Sequence, residues 1–134
     1  MASLIATEGI GEVYAQKLKE AGIRSTQALL SAGATPQGRQ ELAAKSGIGD
    51  ALILRWVNHA DLFRIKGIGE EYADLLEAAG VDTVVELAQR LPRNLCEKMA
   101  AVNQEHERVR RLPVEAQVKK WIAQAKKLRR VITY

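Results

Sequence analysis

Arg64-Ile65-Lys66-Gly67-Ile68-Gly69-Glu70-Glu71-Tyr72-Ala73-Asp74-Leu75-Leu76-Glu77-Ala78-Ala79-Gly80 has a degenerate copy 58 residues earlier in the same chain. Ile5, Gly9, Ile10, Gly11, Tyr14, Ala15, Leu18, Ala21, Gly22 and Ile23 recur as Phe63, Gly67, Ile68, Gly69, Tyr72, Ala73, Leu76, Ala79, Gly80 and Val81. An internal repeat centred on a glycine–apolar–glycine turn predicts an all-α protein built from small helical hairpins. Glycine lets the backbone bend sharply and approach a neighbour closely, because no Cβ intervenes. Ile10 and Ile68 are then placed to plug the gap between the flanking helices. Ala15 with Leu18, and Ala73 with Leu76, continue one apolar face of the helix that follows.

Outward from the turns, both halves carry the same punctuation. Gly22 and Gly80 suit the left-handed position that ends a helix. Ser25 is placed to cap a helix over Thr26–Ala32, and Thr83 with Glu86 forms a capping box opening Val84–Arg90. Pro36 and Pro92 each begin a further helix, running to Lys45 and to about Val102. Leu52, Ile53, Trp56 and Val57 stripe a helix over Asp50–Ala60; Val118, Trp121, Ile122 and Ala125 stripe another over Val114–Leu128. Ala43-Ala44 matches Ala100-Ala101 at an offset of 57, yet Trp56-Val57 matches Trp121-Ile122 at 65. The change places about eight inserted residues around Gln104–Arg111. Residues 1–62 and 63–134 are therefore expected to be two fused repeats. Asp61–Lys66 lacks the composition of a flexible linker, so the join is expected to be rigid. Arg129–Tyr134 reads as an extended tail lying on the body.

Each half is too short to bury a substantial core alone, so the halves are expected to share an interface. The chain is 47% apolar and 27% charged, which fits a water-soluble domain. The start has no basic region followed by a long apolar core, and no apolar run reaches bilayer length. With Cys96 as the only cysteine, the reading is a reducing, cytoplasmic setting with no membrane partner. Charge is distributed unevenly. Residues 1–89 hold 8 Lys/Arg against 12 Asp/Glu, a balance of −4, whereas residues 90–134 hold 12 against 4, a balance of +8. Such an end can steer a polyanion, or hold two subunits head to tail.

A turn that opens into a helix presents unpaired amide donors and the positive end of the helix dipole, so it accepts an anion without any basic side chain. The pattern apolar-x-x-x-Gly-apolar-Gly-x-x-x-Ala-x-x-Leu resembles the helix-hairpin-helix motif of DNA repair and replication proteins. That resemblance implies a tandem helix-hairpin-helix, SAM-domain-like bundle with internal duplication, whose hairpin amides contact duplex DNA phosphates without regard to base sequence. Gly9, Ile10 and Gly11 match one hairpin, and Gly67, Ile68 and Gly69 a second. Gly47, Ile48 and Gly49 make a less faithful third, with Ile53 where Ala15 and Ala73 stand, and the turn expected near Asn103–Pro113 has no glycine. The whole chain is similar to an uncharacterised family of tandem helix-hairpin-helix proteins known only as a domain of unknown function.

Around the hairpins the charge is mixed. Lys17 and Lys66 are nearby cations, but Glu12 and Glu70-Glu71 occupy helix starts, where carboxylates meet the dipole a phosphate would use. The denser positive surface comprises Arg108, Arg110, Arg111, Lys119, Lys120, Lys126 and Lys127, with the two lysine pairs read as lying on one side of their helix. His59 and His106 have no second ligand at zinc spacing. No nucleotide-binding loop, and no nucleophile with a placed base, is present. The expectation is a non-enzyme without metal or cofactor. Two functions fit: sequence-independent contact with duplex DNA or another polyanion, or a protein-interaction or assembly module that kept only the fold, with itself or another protein as partner.

Overall fold

Capping side chains mark the start of three of the helices. The structure, a computed structural model, describes residues 10–107 and 109–134. These form α1 (Gly11–Glu20), α2 (Thr26–Ala32), α3 (Pro36–Ser46), α4 (Asp50–Leu62), α5 (Glu70–Ala78), α6 (Val84–Ala88), α7 (Pro92–His106) and α8 (Glu115–Lys127). Among the described residues there is no strand. Ser25 Oγ accepts the Ala28 amide at 3.0 Å, Thr35 Oγ1 the Gly38 amide at 3.0 Å, and Thr83 Oγ1 the Glu86 amide at 3.2 Å. Each satisfies an amide that its helix cannot. The reciprocal half of the expected box does not form: the Glu86 carboxylate turns instead to Arg90, 2.9 Å away. At its other end α6 closes with amide bonds from Gln89 to Glu86 and from Arg90 to Leu87, and stops at Ala88 rather than Arg90, while α7 runs about one turn beyond Val102 to His106.

Both halves are packed in the same order. In the first, α2 and α3 lie on α4, with α1 on α3; in the second, α6 and α7 lie on α8, with α5 on α7. Tyr14 meets Trp56 with ring centroids 5.2 Å apart at 58°, and Tyr72 meets Trp121 at 5.2 Å and 55°. Both indoles are buried, and Ile10 and Ile68 are buried as hairpin plugs. Each such side chain contributes about 1.5–3 kcal/mol relative to exposure. The apolar contacts form two clusters, one running from Leu62 to Ala125, the other from Ile10 to Ala60. Ile132 and Val131 from the end of the chain belong to the first-half cluster. The expected tail is thus a structural member of the opposite half.

Between the halves, α4 meets α5 through a charged cluster. Glu77 takes Arg55 Nε at 3.1 Å and the fully buried His59 Nε2 at 2.9 Å. Burial by itself would push the Glu77 carboxyl up; the hydrogen bond and charge of His59, and then Arg55, outweigh it and hold the group below its ordinary value. A carboxylate depressed by folding adds stability above its unfolded pKa, about 4.3, and loses it as pH falls through the lower folded value. Urea midpoints are therefore expected to be level from about pH 7 to 5 and to fall below about pH 4 from this group. In Glu77→Gln that acid limb becomes shallower, and an unchanged limb would show that Glu77 contributes no linkage.

Candidate nucleic-acid interface

The connection between α7 and α8 delivers the arginines. Past α7 the chain is pinned by Asn103: its Oδ1 accepts the Val109 amide at 2.9 Å and its Nδ2 donates to the Val109 carbonyl at 3.1 Å. Val109 is buried in the second-half core, and Pro113 is buried at the other end of the loop. Tyr72 Oη donates to the Arg111 carbonyl at 3.1 Å. Arg110 and Arg111 are thereby held by their backbone and exposed by their side chains. They line an open depression of about 400 Å³ together with Gly67, Gly69, Glu70, Glu71 and Tyr72. The second hairpin and the arginine pair, separate features in sequence, share one surface.

Beneath that surface the hairpin is built from α8. Gln124 Oε1 accepts the Lys66 amide at 3.0 Å, and its Nε2 donates to the Lys66 carbonyl at 3.2 Å. Gly67 has φ +99°, a left-handed backbone that L side chains resist, and a Cβ there would come 3.0 Å from Trp121 Nε1. Ile68 donates its amide to Ile65, closing the turn at 3.2 Å. No hydrogen bond among the described residues uses the amides of Gly67 or Gly69, and both glycines are exposed. They precede α5, whose first-turn amides have no intrahelical acceptor. A helix start of this kind, with two guanidinium groups across a depression, is chemically suited to an oxyanion.

Gln124 also fixes the orientation of the lysines. With 3.6 residues per turn, Lys120 and Lys127 lie roughly 40° and 60° round α8 from Gln124, whereas Lys119 and Lys126 lie roughly 140° and 160° away. All four are exposed. All four lie on the side of α8 away from the buried Val118, Trp121, Ile122 and Ala125, spread over roughly 120° of arc. Lys120 and Lys127 flank the edge that grips Lys66, and Lys119 and Lys126 face the other flank. Within that side the two members of each pair differ in their distance from Gln124, because neighbouring residues are about 100° apart.

The other expected contacts are less well formed. Gly9 and Arg108 lie outside the described residues. Of the first hairpin, Ile10 is buried and Gly11, at φ +61°, starts α1. Lys17 Nζ sits 5.8 Å from the Tyr14 ring centroid. At the third hairpin Gly47 has φ +74° and Ile48 is buried, but the Ile48 amide donates to Ser46 Oγ at 3.2 Å and Asp50 stands at the start of α4. Sequence reading missed Asn103, Tyr72 and Gln124 as positioning residues. The available signals were the shift of offset around 104–111 and the glutamine at the position that His59 holds in the first half.

Among the described residues no group of three or more His, Cys, Asp or Glu is arranged to hold a metal ion, and no helix is long and apolar enough to cross a membrane. Burial, and then the carboxylates of Glu115 and Glu97, push the Cys96 thiol up, so it stays protonated at neutral pH. The chain belongs to the family described as "Domain of unknown function (DUF4332)", whose model matches residues 8–128. No curated protein and no solved structure matches it.

Proposed function

We propose that the chain is a duplicated tandem helix-hairpin-helix protein that binds the sugar–phosphate backbone of duplex DNA non-catalytically and without base preference, in the cytoplasm. The duplication is supported by the paired Tyr–Trp contacts, the paired Ser25 and Thr83 caps and the matching helix order. One observation carries the functional reading: Gly67 and Gly69 line the same depression as Arg110 and Arg111. Lys66, Lys120 and Lys127 extend this face along the hairpin and α8. The second hairpin is its centre, although Glu70 and Glu71 make it the more acidic one in sequence. A phosphate there displaces the carboxylates from the field of the arginines.

The test is a titration of a short labelled duplex at about 50 and 200 mM salt. If the five cations each neutralise one phosphate, the log–log slope is about −4.5 and affinity falls about 500-fold between the two salts. Duplexes of unrelated sequence bind alike. No binding even at about 50 mM, together with a discrete oligomer, rejects this reading in favour of an assembly module.

Glu71 gives a prediction of the opposite sign. It is exposed and lines the depression. A carboxylate about 4 Å from a bound phosphate in a wet site costs roughly 1 kcal/mol. Glu71→Gln is expected to tighten duplex binding about 5-fold at low salt, a gain that shrinks as salt screens the repulsion. Fluorescence anisotropy reads it directly, and weaker binding by this variant would mean that the anion sits elsewhere.

A further inference from the structure

Residues 129–134 leave α8 and cross to the first half. Leu128 ends α8 in an extended conformation, φ −91° and ψ 145°, and Arg64 Nη2 donates to the Arg129 carbonyl at 2.8 Å. Ile132 then enters the first-half core, only 3% exposed. The Thr133 amide donates to the Ala34 carbonyl at 2.7 Å, and the Thr133 carbonyl accepts from Arg39 Nη2 at 2.8 Å. Tyr134 Oη donates to Asn58 Oδ1 at 3.2 Å.

Arg39 is the unusual element of this groove. It is 7% exposed, and among the described residues no carboxylate lies within ion-pair distance of it. Its charge is met by the carbonyls of Gly33 and Thr133 and by the Tyr134 ring, 5.7 Å from Cζ. A buried cation is costly unless its donors are used. This one is used to hold the main chain of an extended segment. A pocket for residue 132, a main-chain N–H and C=O pair at 133 and an aromatic clamp at 134 are the elements by which proteins recognise extended peptides. None of them distinguishes a segment of the same molecule from that of a neighbour. Ala34, Arg39 and Asn58 fall within residues 1–89, which carry a net charge of −4, and the segment brings Arg129 and Arg130.

We infer that the groove bounded by Ala34, Arg39 and Asn58 is a peptide-binding site, and that its alternative occupant is residues 129–134 of a second copy, exchanged reciprocally. The intramolecular segment holds the site at low concentration because its effective concentration is high. Shortening the connection removes that advantage and favours exchange between copies.

Two experiments on the full chain decide it. Deleting Arg129 and Arg130 shortens the connection by about 7 Å, so the segment no longer reaches its own groove. Sedimentation is expected to give a discrete, folded dimer; a monomer, or loss of the helical signal, overturns the proposal. In the second, Ile132→Asp evicts the resident segment, and a labelled peptide with the sequence of residues 129–134 is titrated in. Binding is expected to be at least about 10-fold tighter to this variant than to the unaltered chain, and to vanish when Arg39→Ala is added. Equal binding to both, or binding indifferent to Arg39, overturns it.

Discussion

Asp61→Ala is expected to lower the unfolding free energy by about 3 kcal/mol, the largest loss anticipated for a single polar side chain in this protein. Asp61 is 2% exposed and sits at the C-terminal end of α4. One carboxylate oxygen accepts Arg64 Nη1 at 2.7 Å, and the other accepts the Val84 amide at 2.8 Å. Val84 opens α6, a helix of five residues too short to hold itself together. The carboxylate therefore supplies a partner for an orphan amide, meets the helix dipole, and ties the first half's last helix to the second half's core. Truncation strips a buried amide of its acceptor and leaves the Arg64 guanidinium, largely buried, without its counter-ion. One effect trims the loss. Burial, and after it the carboxylates of Glu86, Glu77 and Asp61, push the Asp82 carboxyl up, so removing Asp61 relieves a repulsion. Urea unfolding should show a lower midpoint at unchanged slope, and the thermal midpoint should fall by about 10 °C. Asp61→Asn keeps the acceptor for Val84 and should recover part of the loss. A loss under about 1 kcal/mol in Asp61→Ala would mean that the join rests on apolar contacts alone.

The elements that sequence resolved were those fixed by short-range chemistry. Ser25 and Thr83 announce helix starts because a hydroxyl reaches an amide three residues on, and the backbone agrees at both. The apolar stripes on α4 and α8 mark buried faces because helical period alone decides which residues meet. What stayed hidden depends on contacts between distant residues. Nothing local to Arg110 and Arg111 says that Asn103 and Tyr72 will set them beside Gly67, 39 residues separating Tyr72 from Arg111. Gln124 grips Lys66 across 58 residues, and only its register on α8 reveals which lysines face the hairpin. Asp61 reads in sequence as one more charge in a junction. Its role emerges only when Val84 arrives at its oxygen. The candidate site is thus legible in its parts and illegible in its assembly, because turn glycines are a local signal and the loop that complements them is not.

That assembly yields the second large effect. Arg110→Ala with Arg111→Ala is expected to weaken duplex binding about 100-fold at about 50 mM salt, at roughly 1.5 kcal/mol for each charge-assisted phosphate contact. Losing two of five neutralised phosphates should also make the log–log salt slope shallower by about 1.8, so the deficit contracts to about 10-fold at about 200 mM. Both side chains are exposed while Val109 and Pro113 anchor the loop, so the fold should be unaffected, which far-ultraviolet circular dichroism checks. The lysines supply a control that charge alone cannot mimic. Lys120→Ala with Lys127→Ala removes the same net charge as Lys119→Ala with Lys126→Ala, yet only the first pair borders the edge of α8 that Gln124 turns toward the hairpin. A diffuse attraction to the basic third of the chain would weaken binding equally in both. An interface centred on Gly67 and Gly69 predicts about 10-fold for the first pair and under about 3-fold for the second, with the corresponding change in salt slope confined to the first. Equal losses would leave the polyanion attraction standing but detach it from the hairpin, and the site would then have to be sought on the far flank of α8.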